Sequence, residues 1–254
     1  MDSRPFHIFG VSHWVALISG IVAALALVKY LRHASVRGSA FVRITLALVL
    51  ILAVMADPLI TYFRYIGAAG PEFAWRMVHE TAWPFYLCDW AAIVCAIALI
   101  TKRQRLAEIA WCWGLGATLQ GLVYPASLSY DWPNPDYFAF FAEHAGVPVA
   151  GMVLVFGLGL KPEPGAAWRV WLWLLVYLST AALANVICIH RGGYPTANYG
   201  FVCSNAYSPL GVLGPWPFYV FGFIGVLGLF FTLLTWPFCG CRTCSWRCLR
   251  PFLK

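Results

Sequence analysis

The chain has 254 residues, of which 61% are hydrophobic and only 11% are charged, and its mean hydropathy is +0.74. Soluble globular domains carry roughly 25% charged residues, so this composition excludes that class and indicates a multi-pass integral membrane protein. The net charge of +7 does not indicate nucleic-acid binding, because basic residues in membrane proteins mark the cytoplasmic loops. The apolar runs are continuous and do not alternate with polar residues, which predicts an all-α helical bundle.

Roughly 20 apolar residues cross a bilayer as a helix, and the chain contains about seven runs of that kind. The predicted spans cover residues 9–30, 41–65, 82–101, 106–126, 137–160, 168–189 and 216–238. We expect one domain over 1–254, with 239–254 as a short basic, cysteine-rich cytoplasmic tail, and no cleavable signal peptide. The expected location is the cell membrane of a bacterium or an endomembrane of a eukaryote.

The distribution of basic residues predicts the orientation of the bundle. Most of the 17 Lys and Arg residues lie in the first, third and fifth connections and in the C-terminal tail. Only Arg4, Arg64, Arg76 and Arg191 fall on the other side of the predicted membrane. The positive-inside bias therefore places the C-terminus in the cytoplasm and the N-terminus outside.

Polar residues within the predicted spans gather in the extracytoplasmic half. Ionisable groups cost on the order of 2.5–3.5 kcal/mol each at the centre of a membrane helix, so they are normally buried in the bundle and functional. The residues concerned are His13, Asp57, Cys88, Asp89, Gln120, His144 and Asn185. They predict a polar cavity that opens outward, although Asp57, Gln120 and Asn185 also fit the hydrogen bonds that join helices in bundles.

The connection between the sixth and seventh predicted spans is long and rich in Gly, Pro and aromatic residues. It runs from RGGYP at 191–195 to GPWP at 214–217. Gly and Pro break helices, and aromatic residues favour the membrane interface. We interpret this connection as a structured cap over the cavity.

Cys88 and His144 are the one nucleophile and base whose predicted depths match. A thiol needs a nearby base to become a nucleophilic thiolate, and a neutral His144 could take that proton and later return it as a general acid. Asp89 directly follows Cys88, and Glu143 directly precedes His144. On a helix, each carboxylate should therefore point about 100° away from that neighbour. This argues against a Cys88–Asp89 contact and favours Asp57 as the group that orients the imidazole.

The other cysteines have plainer interpretations. Cys95, Cys112 and Cys188 are predicted to be small packing residues, as free cysteines in apolar surroundings usually are, and Cys203 has no evident partner. The tail cysteines at 239, 241, 244 and 248 do not match known zinc-ligand spacings and favour acylation or free thiols. No metal site and no cofactor are expected.

Four segments together resemble the YwaF-like integral membrane protein family, which includes transmembrane protein 164. They are LCD at 87–89, FFAEH at 140–144, NYGF at 198–201 and LGPWPFY at 213–219. The resemblance runs from His13 to the last predicted span. Its most specific feature is the combination of the LCD and FFAEH segments with the downstream LGPWP.

The resemblance implies a cysteine–histidine lipid acyltransferase. Such an enzyme moves a fatty acyl chain from a phospholipid to a lysophospholipid through a cysteine thioester, without acyl-CoA. By position, Cys88 corresponds to the nucleophile and His144 to the base, while Asn198, Tyr199 and Trp216 correspond to lid or substrate residues. The implied partners are membrane phospholipids and lysophospholipids.

Two other functions fit some of the same residues. A transporter or lipid-binding protein could use Asp57, Asp89 and His144 to bind protons or substrate without covalent catalysis. The chain lacks the internal repeat that many transporters show. A seven-helix sensor is the third alternative, and the sequence offers neither a binding lysine nor a cytoplasmic signalling segment for it.

Overall fold

The computed structural model describes residues 4–204 and 209–238, which form helices joined by mostly short connections. The helices are α1 (Val11–Leu31), α2 (Val36–Thr81), α3 (Leu87–Thr101), α4 (Gln104–Trp113), α5 (Leu119–Val123), α6 (Pro135–Met152), α7 (Ala166–His190) and α8 (Phe218–Thr235). Within these ranges, strand-like pairing is limited to an isolated bridge between Pro5 and Tyr130. The all-α prediction is confirmed.

Within residues 4–204 and 209–238, five segments are long and apolar enough to cross a membrane. They are Val11–Leu31, Val36–Thr81, Pro135–Gly157, Ala166–His190 and Phe218–Phe238. This finding confirms a multi-pass integral membrane protein. The two remaining predicted spans fall on α3, which has 15 residues, and on α4 and α5, which a π-helical turn joins. The count of seven spans and the orientation of the termini stay predictions.

Helix α2 is much longer than the predicted span at 41–65. It continues to Thr81, but Gly70 has φ 83° and ψ 173°, so two helical segments meet there at a kink. Pro71 follows directly and suits the first turn of the second segment, where no backbone N–H is needed. The sequence suggested a connection after residue 65 because polar residues and a Gly-Pro pair interrupt the apolar run; the structure continues it as helix.

Helix α3 lies inside the bundle, where it packs against α2, α4 and α6. Its buried face consists of small residues, and Ala91, Ala92, Cys95 and Ala98 are all fully buried. Small side chains let neighbouring helix backbones approach closely in membrane bundles. This close packing surrounds α3 with α2, α4 and α6.

The connections rich in basic residues lie at one end of the bundle. The Arg32 side chain donates to the Phe156 carbonyl at 3.4 Å, and Arg43 donates to the Leu99 carbonyl at 2.7 Å. At the same end, the fully buried Glu108 accepts three hydrogen bonds from Arg169, at 2.8, 2.9 and 3.0 Å. The cysteine and acidic residues of interest lie toward the opposite end.

Candidate functional site

The start of α3 places Cys88 and Asp89 side by side. The backbone of Tyr86 is extended, with φ −80° and ψ 158°, and the helix begins at Leu87. The Asp89 carboxylate accepts a hydrogen bond from the Tyr86 N–H at 2.9 Å. A carboxylate at this position satisfies a free N–H and interacts favourably with the helix dipole. Asp89 thus has a structural role that its sequence position alone did not assign.

Three side chains converge at this helix start. The Cys88 sulfur, an Asp89 carboxylate oxygen and a Glu143 carboxylate oxygen all lie within 4.8 Å of one another. Asp89 and Glu143 are each 6% exposed. The Oε1 atom of Glu143 is buried and has no hydrogen-bond partner within the described part of the chain. A thiol and two carboxyl groups in this arrangement can exchange protons or hold a divalent cation.

The expectation that Asp89 points away from the Cys88 thiol is wrong, because the two side chains lie within 4.8 Å of each other. Side chains in a first helical turn lean back toward the N-terminus, so the carboxylate that caps Tyr86 returns to the side of Cys88. Glu143 comes from α6 and faces α3 across the helix interface. Its neighbour His144 leaves α6 about 100° around the helix.

His144 lies against α5 and its own preceding turn. Its ring stacks on Phe140 at a centroid distance of 3.9 Å and an interplanar angle of 9°. Its Nδ1 atom is 3.0 Å from the Phe140 carbonyl oxygen. A carbonyl can only accept, so Nδ1 carries the proton and Nε2 keeps its lone pair. The Cys88 sulfur lies within 4.8 Å of carboxylate oxygens of Asp89 and Glu143, and a direct Cys88–His144 contact stays a prediction.

The absence of a side chain at Gly121 makes room for His144. A Cβ atom at that position would lie 2.9 Å from Cδ2 and 3.2 Å from Nε2 of His144. Gly121 belongs to α5, so this close approach fixes the imidazole edge against that short helix.

Asp57 on α2 adds a further acidic group near the cluster. It interacts electrostatically with both Asp89 and Glu143. It interacts in the same way with Arg64 and Asp136. Arg64 and Asp136 form an ion pair between α2 and α6. The structure therefore brings Asp57 into the electrostatic field of the cluster, whereas its predicted role of orienting His144 stays a prediction.

His13 has hydrogen-bond partners at both ring nitrogens, and its place in the cavity stays a prediction. Its Nδ1 atom accepts a hydrogen bond from the Phe9 N–H at 2.9 Å, and Nε2 lies 2.9 Å from the Leu122 carbonyl. The side chain is fully buried, and its ring packs against Phe6 and Phe141. Both ring nitrogens are occupied in joining the start of α1 to α5, so neither is free for chemistry.

Asn185 anchors the connection between α7 and α8. Its amide brackets the backbone of Tyr199: Oδ1 accepts from the Tyr199 N–H at 2.7 Å, and Nδ2 donates to the Tyr199 carbonyl at 2.9 Å. The Asn185 side chain is fully buried. Both ends of its amide are used in positioning this connection, which agrees with the alternative of a structural hydrogen-bonding role, and its place in the cavity stays a prediction.

Tyr199 packs the cap against the N-terminal end of α3. It is fully buried. Its ring packs edge-on against the rings of Phe85 and Tyr86, with centroid distances of 5.3 and 5.4 Å. Its hydroxyl donates to the His79 carbonyl at 2.7 Å. Burial raises the pKa of Tyr199, so the hydroxyl keeps the proton that this bond requires.

Side-chain bonds also order the outer part of the cap. The side-chain Oδ1 atom of Asn198 accepts from the backbone N–H groups of Cys203 and Ser204, at 3.0 and 3.1 Å. The exposed Trp216 donates from its indole to the Val202 carbonyl at 3.0 Å. The connection is therefore structured over residues 191–204 and 209–217, and its role as a cap over a cavity stays a prediction.

The remaining candidates are more distant from this chemistry. Gln120 is exposed on α5. Cys95 and Cys112 are fully buried, as their predicted packing role requires, and Cys95 contacts the Val147 carbonyl at 3.8 Å. The tail cysteines at 239, 241, 244 and 248 lie outside the described residues.

Sequence reasoning did not single out three further polar side chains, of which Tyr177 lies near Cys88. Tyr177 on α7 donates to the Phe85 carbonyl at 3.2 Å and interacts electrostatically with Cys88. Thr118 in the π-helical turn Gly114–Thr118 and Trp113 just before it each carry a buried polar atom without a partner among the described residues. π-Helical turns occur frequently at functional sites, but the sequence carries no simple signal for one.

The comparison with known families gives one result. The model described as the TMEM164 family matches residues 8–235, which includes every helix described above. No curated protein and no solved structure matches the chain.

Proposed function

The chain belongs to the TMEM164 family, and on that premise we propose that it is a membrane-embedded acyltransferase. It moves a fatty acyl chain from a phospholipid to a lysophospholipid through a thioester on Cys88, without acyl-CoA. One observation carries this proposal: the Cys88 thiol lies at a capped helix start within 4.8 Å of two buried carboxyl groups.

In the first half-reaction, the Cys88 sulfur attacks the ester carbonyl of the donor phospholipid. The Glu143 carboxylate, within 4.8 Å of the sulfur, accepts the thiol proton. The carbonyl oxygen becomes negative and is stabilised by backbone N–H groups of the first turn of α3, which have no partners within the helix. Collapse of this intermediate breaks the carbon–oxygen bond, and the departing lysophospholipid oxygen takes the proton from Glu143.

In the second half-reaction, the hydroxyl of an acceptor lysophospholipid attacks the thioester. His144 keeps the role of a base here, because the Phe140 carbonyl holds the proton on Nδ1 and leaves the Nε2 lone pair available. Nε2 accepts the hydroxyl proton as the new ester forms. The carbon–sulfur bond breaks, and the proton returns to the Cys88 sulfur.

The cap keeps water away from the thioester in this proposal. Tyr199 covers the entrance of α3 through its contacts with Phe85 and Tyr86, and Asn185 holds Tyr199 in place. Exclusion of water prevents hydrolysis of reactive intermediates. The same proposal includes seven spans with the N-terminus outside, so that the cap and Cys88 face the extracytoplasmic half of the membrane.

A transfer assay tests the proposed activity. The purified chain is mixed with a phospholipid labelled in its acyl chain and an unlabelled lysophospholipid, with no acyl-CoA present. Wild type is expected to form labelled phospholipid from the acceptor, and Cys88→Ala is expected to form none. Cys203→Ala, which changes an exposed cysteine of the cap, is the matched control and should retain activity. Equal activity of wild type and Cys88→Ala contradicts the proposal.

A further inference from the structure

We propose that Cys88, Asp89 and Glu143 form a binding site for Zn²⁺, and that zinc in this site blocks acyl transfer. The binding claim rests on the geometry of the three side chains alone. The inhibitory claim rests on the proposed function, because it requires that Cys88 be the nucleophile.

The three donor atoms already lie near the spacing that zinc requires. They are within 4.8 Å of one another, whereas bond lengths of about 2.0–2.3 Å place the ligands of a tetrahedral zinc roughly 3.3–3.7 Å apart. The upper limit of 4.8 Å exceeds this range by about 1 Å. Two donors come from adjacent positions on α3 and the third from α6, so one ion would join the two helices.

The unpartnered oxygen of Glu143 gives a second, independent indication of a ligand. The Glu143 side chain is 6% exposed, and its Oε1 atom has no hydrogen-bond partner among the described residues. A buried polar atom without a partner is costly, typically by about 1–3 kcal/mol, and such atoms usually have an ion, a water or a ligand beside them. A cation bound by both oxygens of the Glu143 carboxylate would give Oε1 a partner.

Charge also favours a cation. Deprotonated Cys88, Asp89 and Glu143 would carry three negative charges in a buried space, and Asp57 lies within electrostatic range of both carboxylates. The nearby Arg64 is already paired with Asp136. A divalent ion therefore stabilises the charged forms of all three ligands.

The donor set selects zinc over the common hard cations. Ca²⁺ takes six to eight oxygen ligands and Mg²⁺ a near-octahedral set of oxygens, whereas a thiolate suits Zn²⁺, which also accepts carboxylate oxygens. Three protein ligands leave a fourth position for water. Binding releases the thiol proton and any carboxyl proton to solvent, so affinity should increase with pH.

Zinc in this position would prevent the first half-reaction. The sulfur electron pair that attacks the ester carbonyl would be engaged with the metal, and Glu143 would be unable to accept the thiol proton. Acyl transfer would then require release of the ion, which makes the site sensitive to the supply of free zinc.

Cobalt absorption tests the binding claim directly. Co²⁺ replaces Zn²⁺ in thiolate sites and gives a thiolate-to-cobalt charge-transfer band. The probe is CoCl₂, added to the purified, chelator-treated full chain, in which the tail cysteines at 239, 241, 244 and 248 are changed to Ser to remove competing thiols. We expect the band in this background, its loss in Cys88→Ser, and binding weaker by roughly tenfold or more in Glu143→Gln. Cys95→Ala is the control that should retain the band.

The outcomes separate this inference from the proposed function. No charge-transfer band, or a band that persists in Cys88→Ser, overturns the zinc site even if the chain transfers acyl groups normally. A band with no acyl transfer in metal-free buffer overturns the proposed function and leaves the site standing. With both present, ZnCl₂ should abolish transfer in proportion to displacement of cobalt, and a zinc-loaded chain with full activity overturns the inhibitory claim.

Discussion

The Glu143 carboxylate on α6 lies within 4.8 Å of the Cys88 thiol on α3. The two residues come from helices that pack against each other inside the bundle, and the cap closes over the same helix start through Tyr199. This relationship makes Glu143 the proton acceptor in the proposed first half-reaction and leaves His144 for the second.

Glu143→Gln should slow formation of the acyl-enzyme. The amide keeps the size and most hydrogen-bonding capacity of the side chain but cannot accept the thiol proton. General acid–base groups contribute about 10²- to 10⁴-fold to rates, so we expect a loss in that range in single-turnover acylation. Glu163→Gln, at an exposed position in the connection before α7, is the control. An unchanged acylation rate in Glu143→Gln would remove Glu143 from the mechanism.

His144→Ala should separate the two half-reactions. Without the Nε2 base, the acyl-enzyme still forms but transfers poorly to the acceptor, so labelled protein accumulates in the presence of lysophospholipid. The measurement is the amount of acyl-enzyme with and without acceptor, and His33→Gln, an exposed histidine, is the control. If His144→Ala forms no acyl-enzyme at all, His144 is the base for the thiol, as the family resemblance implies.

Gly121→Ala should displace the His144 imidazole. The added Cβ would lie 2.9 Å from Cδ2 of His144, too close for the ring to stay in place, so we expect slower transfer to the acceptor with normal acylation. Gly67→Ala adds the same methyl group to a helix where nothing lies within 4 Å, and it should leave both steps unchanged. Equal second-step rates in the two variants would show that the position of His144 does not matter.

Asn185→Ala should destabilise the cap. The change leaves the Tyr199 N–H and carbonyl without their partners at 2.7 and 2.9 Å, which costs about 2–6 kcal/mol for two buried groups. We expect a lower unfolding temperature in detergent and faster proteolysis within residues 191–204. Ser179→Ala, at an exposed position on the same helix, is the control, and protection of the cap equal to that of wild type would argue against the anchoring role.

Hydropathy predicted the membrane class and most helices, because a long apolar run is a local property of the sequence. The site was predicted only in part. Cys88 was found by its place at the start of an apolar run, but the contacts of Asp89 and Glu143 depend on how a first helical turn directs its side chains and on how α6 faces α3. Such relationships need the packed structure.

Two further residues show the same limit of prediction from sequence. Asn185 was predicted to lie near the cavity because it is polar and within a span, but its partner is the backbone of Tyr199, 14 residues away in the cap. His13 was grouped with the cavity for the same reason, although Phe9 and Leu122 occupy both of its ring nitrogens. Sequence reveals that a buried polar side chain needs partners; it does not say whether those partners are backbone groups or a substrate.

The acyl-enzyme itself gives the most direct test of the account. The purified full chain is incubated with phospholipid labelled in its acyl chain, and the hydroxylamine-sensitive label on the protein is measured and assigned to a peptide by mass spectrometry. The account predicts one labelled site, at Cys88, that is absent from Cys88→Ala and unchanged in Cys203→Ala. Equal hydroxylamine-sensitive labelling of wild type and Cys88→Ala would contradict it.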